Sequence, residues 1–446
     1  MSGSVIFSNA SIYPKWGKVN SKFRLFFVYR PSKGIIAFMT VPFLRLPYYQ
    51  THEISLSLAG ETVRVVTKPG LPAWDQVTPA EILLAEHVDL TTPARYLLFG
   101  AHHGALAVAL ARRFPQGDLL VVDPGYIALQ MTSRTLSANT IQNARVSAES
   151  SLLPAQQDSF AAVLMVLPKG RRLARRWLVE TYPLLSSDGT FYLAGANSEG
   201  IQSVIQDAGE VFGKSSILDY RKGNRVARFR KGQVSQSLPG WASEPGCLPG
   251  TWRQFDINIR GVDLHIRSLP GVFSYDRLDD GTRLLIDHLE VLPGSQVLDF
   301  GCGYGVLGLY AALSGAAHVD MVDDHLDAVA CAQENIRLNG LHTAQAFPGD
   351  GLDWARDQHY DLVVSNLPFH TGKEVDYGAS QALIAGLPHL LKPGGQLVIV
   401  ANRFIRYESL MEQAFGNVVV LARTGKYHVL KSIFNNPRLT IQVDNP

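Results

Sequence analysis

The chain has 446 residues, 46% of them hydrophobic and 18% charged, a globular balance that excludes wholesale disorder, a collagen-like fibre and a coiled coil. That length exceeds one ordinary domain and leaves room for two or three. A net charge of +2 provides no global field, so a nucleic-acid surface must come from local patches.

The first fifty residues carry Lys15, Lys18, Lys22, Arg24, Arg30, Lys33 and Arg45 and no acidic residue. They read as a basic extension (a transit peptide, an RNA-binding arm, or a stretch upstream of a true start at Met39). Strand and helix signals then alternate. Tyr96-Leu-Leu-Phe ends at Gly100, Ala105 to Arg113 is helical, and Leu119-Leu-Val-Val ends at Asp123. Val163-Leu-Met-Val and Phe191-Tyr-Leu-Ala follow at spacings that predict βαβ units and a parallel sheet covered on both faces. A basic stretch with Arg221, Lys222, Arg225, Arg228, Arg230 and Lys231 leads into Pro239-Gly and Pro249-Gly and reads as linker. The strand signals then restart with Gln296-Val-Leu-Asp-Phe, Val319-Asp-Met-Val, Asp361-Leu-Val-Val-Ser and Gln396-Leu-Val-Ile-Val, and Tyr427 to Phe434 alternates as a late strand. Three scattered cysteines, Cys247, Cys302 and Cys331, form no CxxC pair, which fits a reducing compartment such as the cytoplasm. No apolar run approaches the ~18 residues of a membrane span.

The halves match at a shift of about two hundred positions: Phe99-Gly100 with Phe300-Gly301, Gly104 with Gly305, Asp123 with Asp323, Leu167-Pro168 with Leu367-Pro368. One fold is written twice. The division expected is a basic extension at 1–50, a first domain at 51–235, a linker at 236–260 and a second domain at 261–446.

Asp299-Phe-Gly301-Cys-Gly303-Tyr-Gly305 lies between a buried strand and a helix, where glycines let the backbone turn and approach a ligand closely. Gly303-Tyr-Gly305-Val-Leu-Gly308 also fits a dinucleotide fingerprint. Asp299 decides between them: a carboxylate there repels a pyrophosphate and suits the ammonium of a methionine moiety. Asp323 ends the next strand, placed to accept from ribose hydroxyls, and Asp350, in Pro348-Gly-Asp-Gly, is placed to meet an adenine amino group. Carboxylates at successive strand ends favour S-adenosylmethionine over a nicotinamide dinucleotide.

After the fourth strand comes Ser365-Asn366-Leu367-Pro368-Phe369-His370. Ligands of open α/β sheets sit outside the carboxyl ends of the strands, so this turn faces the same crevice as the glycines. The Asn366 amide oxygen and the Leu367 carbonyl offer two acceptors for an exocyclic amine, and Phe369 offers a face on which a base stacks. Such an amine is a poor nucleophile. Acceptors aimed at its hydrogens turn its lone pair outward and stabilise the positive charge that grows on nitrogen. This chemistry requires no metal, and none is expected: His102-His103 are adjacent and point apart, without a partner cluster.

The second half resembles class I S-adenosylmethionine-dependent methyltransferases with an Asn-Pro-Pro-Phe/Tyr motif. From about residue 55 the whole chain resembles the bacterial ribosomal RNA guanine-N2 methyltransferases, the 16S type and its 23S relative. Leu269-Pro-Gly-Val-Phe-Ser-Tyr-Asp-Arg-Leu-Asp279-Asp-Gly281, the turn Asn366 to His370 and Val400-Ala-Asn-Arg-Phe carry the likeness. It implies two tandem Rossmann-like α/β domains with mostly parallel, seven-stranded sheets, one of them degenerate. It also implies that Phe273, Asp279 and Gly281 border the cofactor, that Asn366, Leu367, Pro368 and Phe369 form the catalytic turn, and that a monomer acts on ribosomal RNA or a ribosomal subunit. Leu367 departs from the family's proline, although its carbonyl survives.

The first copy lacks what the chemistry needs: Leu98 replaces Asp299, His102 replaces Gly303, Val166 replaces Asn366 and Lys169 replaces Phe369. It has Lys169, Arg171, Arg172, Arg175 and Arg176 instead, which with Arg228 and Arg230 are expected to grip RNA phosphates. The leading expectation is therefore methyl transfer to guanine N2, with 16S RNA favoured. Open beside it stand guanine N2 of 23S RNA, adenine N6, a protein glutamine amide, and a non-catalytic RNA-binding or assembly factor.

Overall fold

This computed structural model describes residues 47–90, 93–149, 152, 155–232, 238–355, 358–367 and 378–435. The basic extension through residue 46, Met39 included, and Pro368, Phe369 and His370 lie outside the described residues.

Each half opens with a hairpin, β1 (His52–Leu58) with β2 (Glu61–Thr67), and β10 (Arg253–Ile259) with β11 (Val262–Ser268). Ala59-Gly60 and Arg260-Gly261 make the same turn in both, with φ of 52° and 82° against 51° and 79°. Paired positive φ values match the right-handed twist of the flanking strands. The first lobe continues through α1 (Pro79–His87), β3 (Arg95–Phe99), α2 (Ala105–Arg113), β4 (Asp118–Val122), α3 (Tyr126–Ala138) and β5 (Ala144–Ser147). It ends with β6 (Phe160–Val166), α4 (Arg171–Leu184), β7 (Leu185–Ala196), α5 (Ile201–Phe212), β8 (Ser216–Arg221) and β9 (Asn224–Arg230). The second lobe repeats this as α6 (Asp280–Asp287), β12 (Gln296–Phe300), α7 (Val306–Leu313), β13 (His318–Asp323), α8 (Leu326–Leu338) and β14 (Ala344–Pro348). β15 (Tyr360–Asn366), α9 (Gly378–Gly386), β16 (Leu391–Asn402), α10 (Tyr407–Phe415), β17 (Val419–Arg423) and β18 (Tyr427–Ile433) complete it.

Both sheets have seven strands in the same spatial order, β5-β4-β3-β6-β7-β9-β8 and β14-β13-β12-β15-β16-β18-β17. The first five of each order are parallel; β9 and β18 return antiparallel and carry β8 and β17 at the edge. Strand alternation splits each core between the two faces. In the second lobe Val297, Leu362, Val364, Val398 and Val400 join one layer, while Leu298, Val363, Leu397 and Ile399 join the other. The order reverses between β12 and β15, and the crevice for a ligand lies there, at the carboxyl ends of the strands.

Two expectations are corrected. The stretch Arg221 to Lys231 is not linker: it forms the β8–β9 hairpin that closes the first sheet, with Val226, Ala227 and Phe229 buried. A charged edge hairpin mimics a linker in composition because edge strands carry charge that discourages pairing with other chains. The second lobe also starts earlier than residue 261, since β10 begins at Arg253.

Both lobes fall in one compact unit, joined through equivalent loops, those after β4 and β13. The Tyr126 N–H donates to the Asp324 carbonyl at 2.8 Å and the Leu326 N–H to the Pro124 carbonyl at 2.7 Å. Asp324 Oδ1 accepts from Ile127 N–H, at the start of α3, at 2.7 Å. Arg176 of α4 meets Asp327 of α8 at 2.7 Å, both side chains almost fully buried.

Candidate active site

The turn after β12 builds the floor of the crevice. A Cβ added at Gly301 or Gly303 would meet nothing within 4 Å, and both have positive φ, 69° and 56°. These glycines face open space where a ligand's atoms fit against bare backbone. Gly305 and Gly308 serve packing instead: a Cβ at Gly308 would lie 2.5 Å from Met321, so glycine there lets α7 settle on the sheet.

Asp323, at the end of β13, accepts from Gly303 N–H and His325 N–H, each at 2.8 Å, and so fixes the glycine turn. Asp299 departs from its expected role. Alternation along β12 aims its side chain at α7 rather than into the crevice, and it has no solvent exposure. One oxygen accepts from Gly308 N–H at 2.8 Å and pins the first turn of α7; the other has no partner among the described residues. Burial pushes its carboxyl up to about 7, against the Gly308 hydrogen bond and with help from the Asp323 charge. Direct contact with a ligand's ammonium is not what this geometry offers; Asp299 shapes the turn from behind.

Asn366 ends β15 beside the same opening. Its Nδ2 donates to Thr282 Oγ1 at 2.8 Å and to Asp279 Oδ2 at 3.2 Å. Asp279 also caps α6 by accepting from Thr282 N–H at 3.0 Å. An ionised carboxylate only accepts, so the amide nitrogen must face Asp279, and Oδ1 turns the other way. That Oδ1 is buried and has no hydrogen-bond partner among the described residues. An enclosed acceptor left open is costly unless something fills it. Thr282 was missed by sequence reasoning, although its place three residues after a helix-capping Asp marked it as a candidate.

The remaining expected residues spread around this centre. Phe273 is 60% exposed, and Gly281 packs under Tyr427, 3.1 Å from an added Cβ. Leu367 is fully buried. Asp350 is held by Lys68 at 2.6 Å, a partner from the other half that nothing local in the sequence announced.

In the first lobe the equivalent space is filled. His102, at φ 47°, stands where the second copy has Gly303, and its Nδ1 lies 3.3 Å from Glu81 of α1, at the position of Thr282. Burial alone would raise the Glu81 carboxyl and lower the His102 imidazole. Their mutual attraction prevails, taking Glu81 down to about 2 and His102 up to about 9. Farther along, Trp177 stacks on Phe99 at 5.0 Å, and with Asp123, Glu149 and Leu326 they line a cavity of about 20 Å³. That admits a water and no nucleoside.

Of the basic residues expected to bind RNA, the four on α4 are paired within the protein. Arg171 and Arg175 share the buried carboxylate of Asp207 at 2.7 and 3.0 Å, and Arg175 also faces Glu244. Arg172 reaches Asp276 at 3.3 Å and lies over Tyr275, while Arg176 is buried in the lobe junction. Arginines paired within the protein are not free phosphate ligands. Lys169 and Arg230 are exposed, Arg228 is half-buried, and none of the three has an acidic partner among the described residues.

The sequence profile of the methyltransferase small domain family matches residues 62–228 and 263–431, one copy in each lobe. A protein of Pseudomonas entomophila named ribosomal RNA small subunit methyltransferase C is 36% identical over 275 residues, covering 61% of this chain and 79% of its own. The protein of the same name from Aliivibrio salmonicida is 32% identical over 268 residues, 60% and 76% of the two chains. Among solved structures, the Thermus thermophilus 16S rRNA N2 G1207 methyltransferase, in complex with AdoMet and guanosine, superimposes with a TM-score of 0.72 at 28% identity. That match spans 87% of this chain and 98% of the Thermus chain.

Proposed function

The chain belongs to the methyltransferase small domain family, and from that membership we propose that its second lobe transfers a methyl group from S-adenosylmethionine to the exocyclic N2 of a guanine in 16S ribosomal RNA. The observation that carries this reading is the Asn366 amide, its nitrogen held by Asp279 and Thr282 and its oxygen buried without a hydrogen-bond partner among the described residues.

The residues present fit the cofactor. Gly301 and Gly303 leave a cradle that any side chain would fill, and Asp323 and Asp350 stand at the ends of neighbouring strands for the ribose and adenine. When bound, the cofactor supplies an electrophilic sulfonium methyl. This chain's residues do the rest by placement. Asn366 Oδ1 accepts from the guanine amino group, which directs the nitrogen lone pair away from the ring and toward the incoming carbon. The same oxygen stabilises the charge that develops on nitrogen, and because Asp279 and Thr282 lock the amide beforehand, no reorganisation is needed during transfer. The Leu367 carbonyl is the second acceptor. After transfer the methylated nitrogen carries a positive charge and is strongly acidic, so it gives its extra proton to solvent water.

The guanine must leave its stack to enter the crevice, at a cost of a few kcal/mol. We assign Lys169, Arg228 and Arg230 of the first lobe to the RNA backbone, since they stay uncommitted where the α4 arginines do not. The protein acts as a monomer in the cytoplasm, where its three buried thiols, Cys247, Cys302 and Cys331, remain reduced. Nucleoside mass spectrometry tests the assignment. Small ribosomal subunits from a strain lacking this protein should gain N2-methylguanosine when incubated with the enzyme and S-adenosylmethionine; N6-methyladenosine, or a modified protein glutamine, would replace the reading.

A further inference from the structure

Lys68 follows β2 in the first lobe and is 1% exposed, a buried charge that no step above uses. Its Nζ lies 2.8 and 2.6 Å from the two oxygens of Asp350, which sits 282 positions away in the turn after β14. The ring of Tyr48 is beneath the ammonium at 4.1 Å, and that of Tyr49 at 5.5 Å. The Tyr49 hydroxyl accepts from the Leu352 N–H at 3.1 Å, and a Cβ at Gly351 would come within 2.6 Å of the same oxygen. The turn bearing Asp350 is therefore grasped at successive points by side chains from the opposite half of the chain.

Burying an ammonium is expensive, and a carboxylate with aromatic faces offsets that cost only at close range and fixed geometry. The structure meets both conditions. A carboxylate that holds a lysine through both oxygens keeps further acceptor positions on each of them, so Asp350 can still accept from an amine in the crevice.

We propose that Lys68 is a positioning residue for the cofactor pocket of the opposite lobe: by gripping Asp350 it holds that carboxylate as a fixed acceptor for the exocyclic amino group of the cofactor's adenine. The first lobe thereby sets how selectively the second binds its nucleoside. This rests on the placement of Asp350 at the adenine given above.

The test is calorimetric binding of S-adenosylhomocysteine and of its deaminated analogue S-inosylhomocysteine to the full-length protein, beside thermal unfolding without ligand. The inosine ligand has a carbonyl in place of the amino group, so the wild type should prefer the adenine ligand. Lys68→Met should cut that preference about tenfold, and Lys68→Arg should restore part of it. A mere strut between lobes would lower the unfolding temperature and weaken both ligands equally. Tyr49→Phe, which removes a single hydroxyl, shifts the preference in the same direction by a smaller factor and decides the matter if Lys68→Met does not fold. In Lys68→Met/Asp350→Leu no buried charge is orphaned, and the preference should vanish. If that double variant keeps the wild-type preference, Asp350 does not read the adenine. If it loses the preference while Lys68→Met and Tyr49→Phe retain it in full, Asp350 reads the adenine unaided and the role given to Lys68 is overturned.

Discussion

In the proposed mechanism the reactive centre depends on which way one amide points. Thr282 and Asp279 give the Asn366 nitrogen two acceptors, and without them the amide is free to present its nitrogen to the substrate amine. Thr282→Val together with Asp279→Gly removes both acceptors and should therefore lower kcat by about tenfold or more, while the unfolding temperature changes little because glycine is tolerated at a helix N-cap; unchanged turnover would show that Asn366 needs no such lock. The turns that carry Asn366, Gly301 and Gly303 could be located in the sequence, because each belongs to a short local motif at the end of a strand; the roles proposed for them rest on the geometry above. Asp299 was misread. Its type and position pointed to a ligand, and only the alternation of β12 beneath α7 shows that it faces inward. Lys68 was invisible, since its partner lies 282 residues along the chain.

Among the elements, α4 shows how a basic helix deceives. Its arginines suggest a nucleic-acid surface until Asp207, Glu244, Asp276 and Asp327 arrive from distant segments to pair with them. Arg176→Met strands Asp327 in a buried site, and breaking such a pair costs about 3–5 kcal/mol. Denaturant unfolding should register that loss, and Arg176→Met/Asp327→Leu should recover much of it; a single variant as stable as the wild type would mean the junction is wet or loose. The edge hairpin carries the opposite expectation. Arg228→Gln/Arg230→Gln should raise the KM for ribosomal subunits and flatten the dependence of binding on salt by about one unit of log–log slope per charge removed, without touching the affinity for S-adenosylmethionine. An unaltered salt slope would move the RNA to another face. Element boundaries were largely readable from apolar runs, as with Ala105–Arg113 and Gln296–Phe300. The β8–β9 hairpin was not, because its charge imitates a linker.

At the level of the whole molecule, one fold has been kept twice, and among the described residues the space beside the glycine turn is occupied by His102 in the first copy and clear at Gly301 and Gly303 in the second. Duplication was plain from matched glycines and aspartates; the junction of the lobes was not, because it uses backbone groups of the two equivalent loops. The filled copy has a pH signature. Glu81 has its carboxyl depressed to about 2, so its contribution is present above its ordinary value near 4.5 and is lost as pH falls through 2. His102 is raised to about 9, so its contribution is complete below about 6.5 and is lost as pH rises through 9. Wild-type unfolding temperature should therefore fall between pH 6.5 and 9 by more than that of Glu81→Gln/His102→Gln; parallel curves would show that the pair is not buried as described. Methyl transfer is assigned above to the second copy, and the rate of label transfer from tritiated S-adenosylmethionine to unmodified small ribosomal subunits tests this most directly. With cofactor saturating, Asn366→Ala should fall about 100-fold or more in kcat while binding S-adenosylmethionine as the wild type does. Near-normal transfer by that variant would contradict the account.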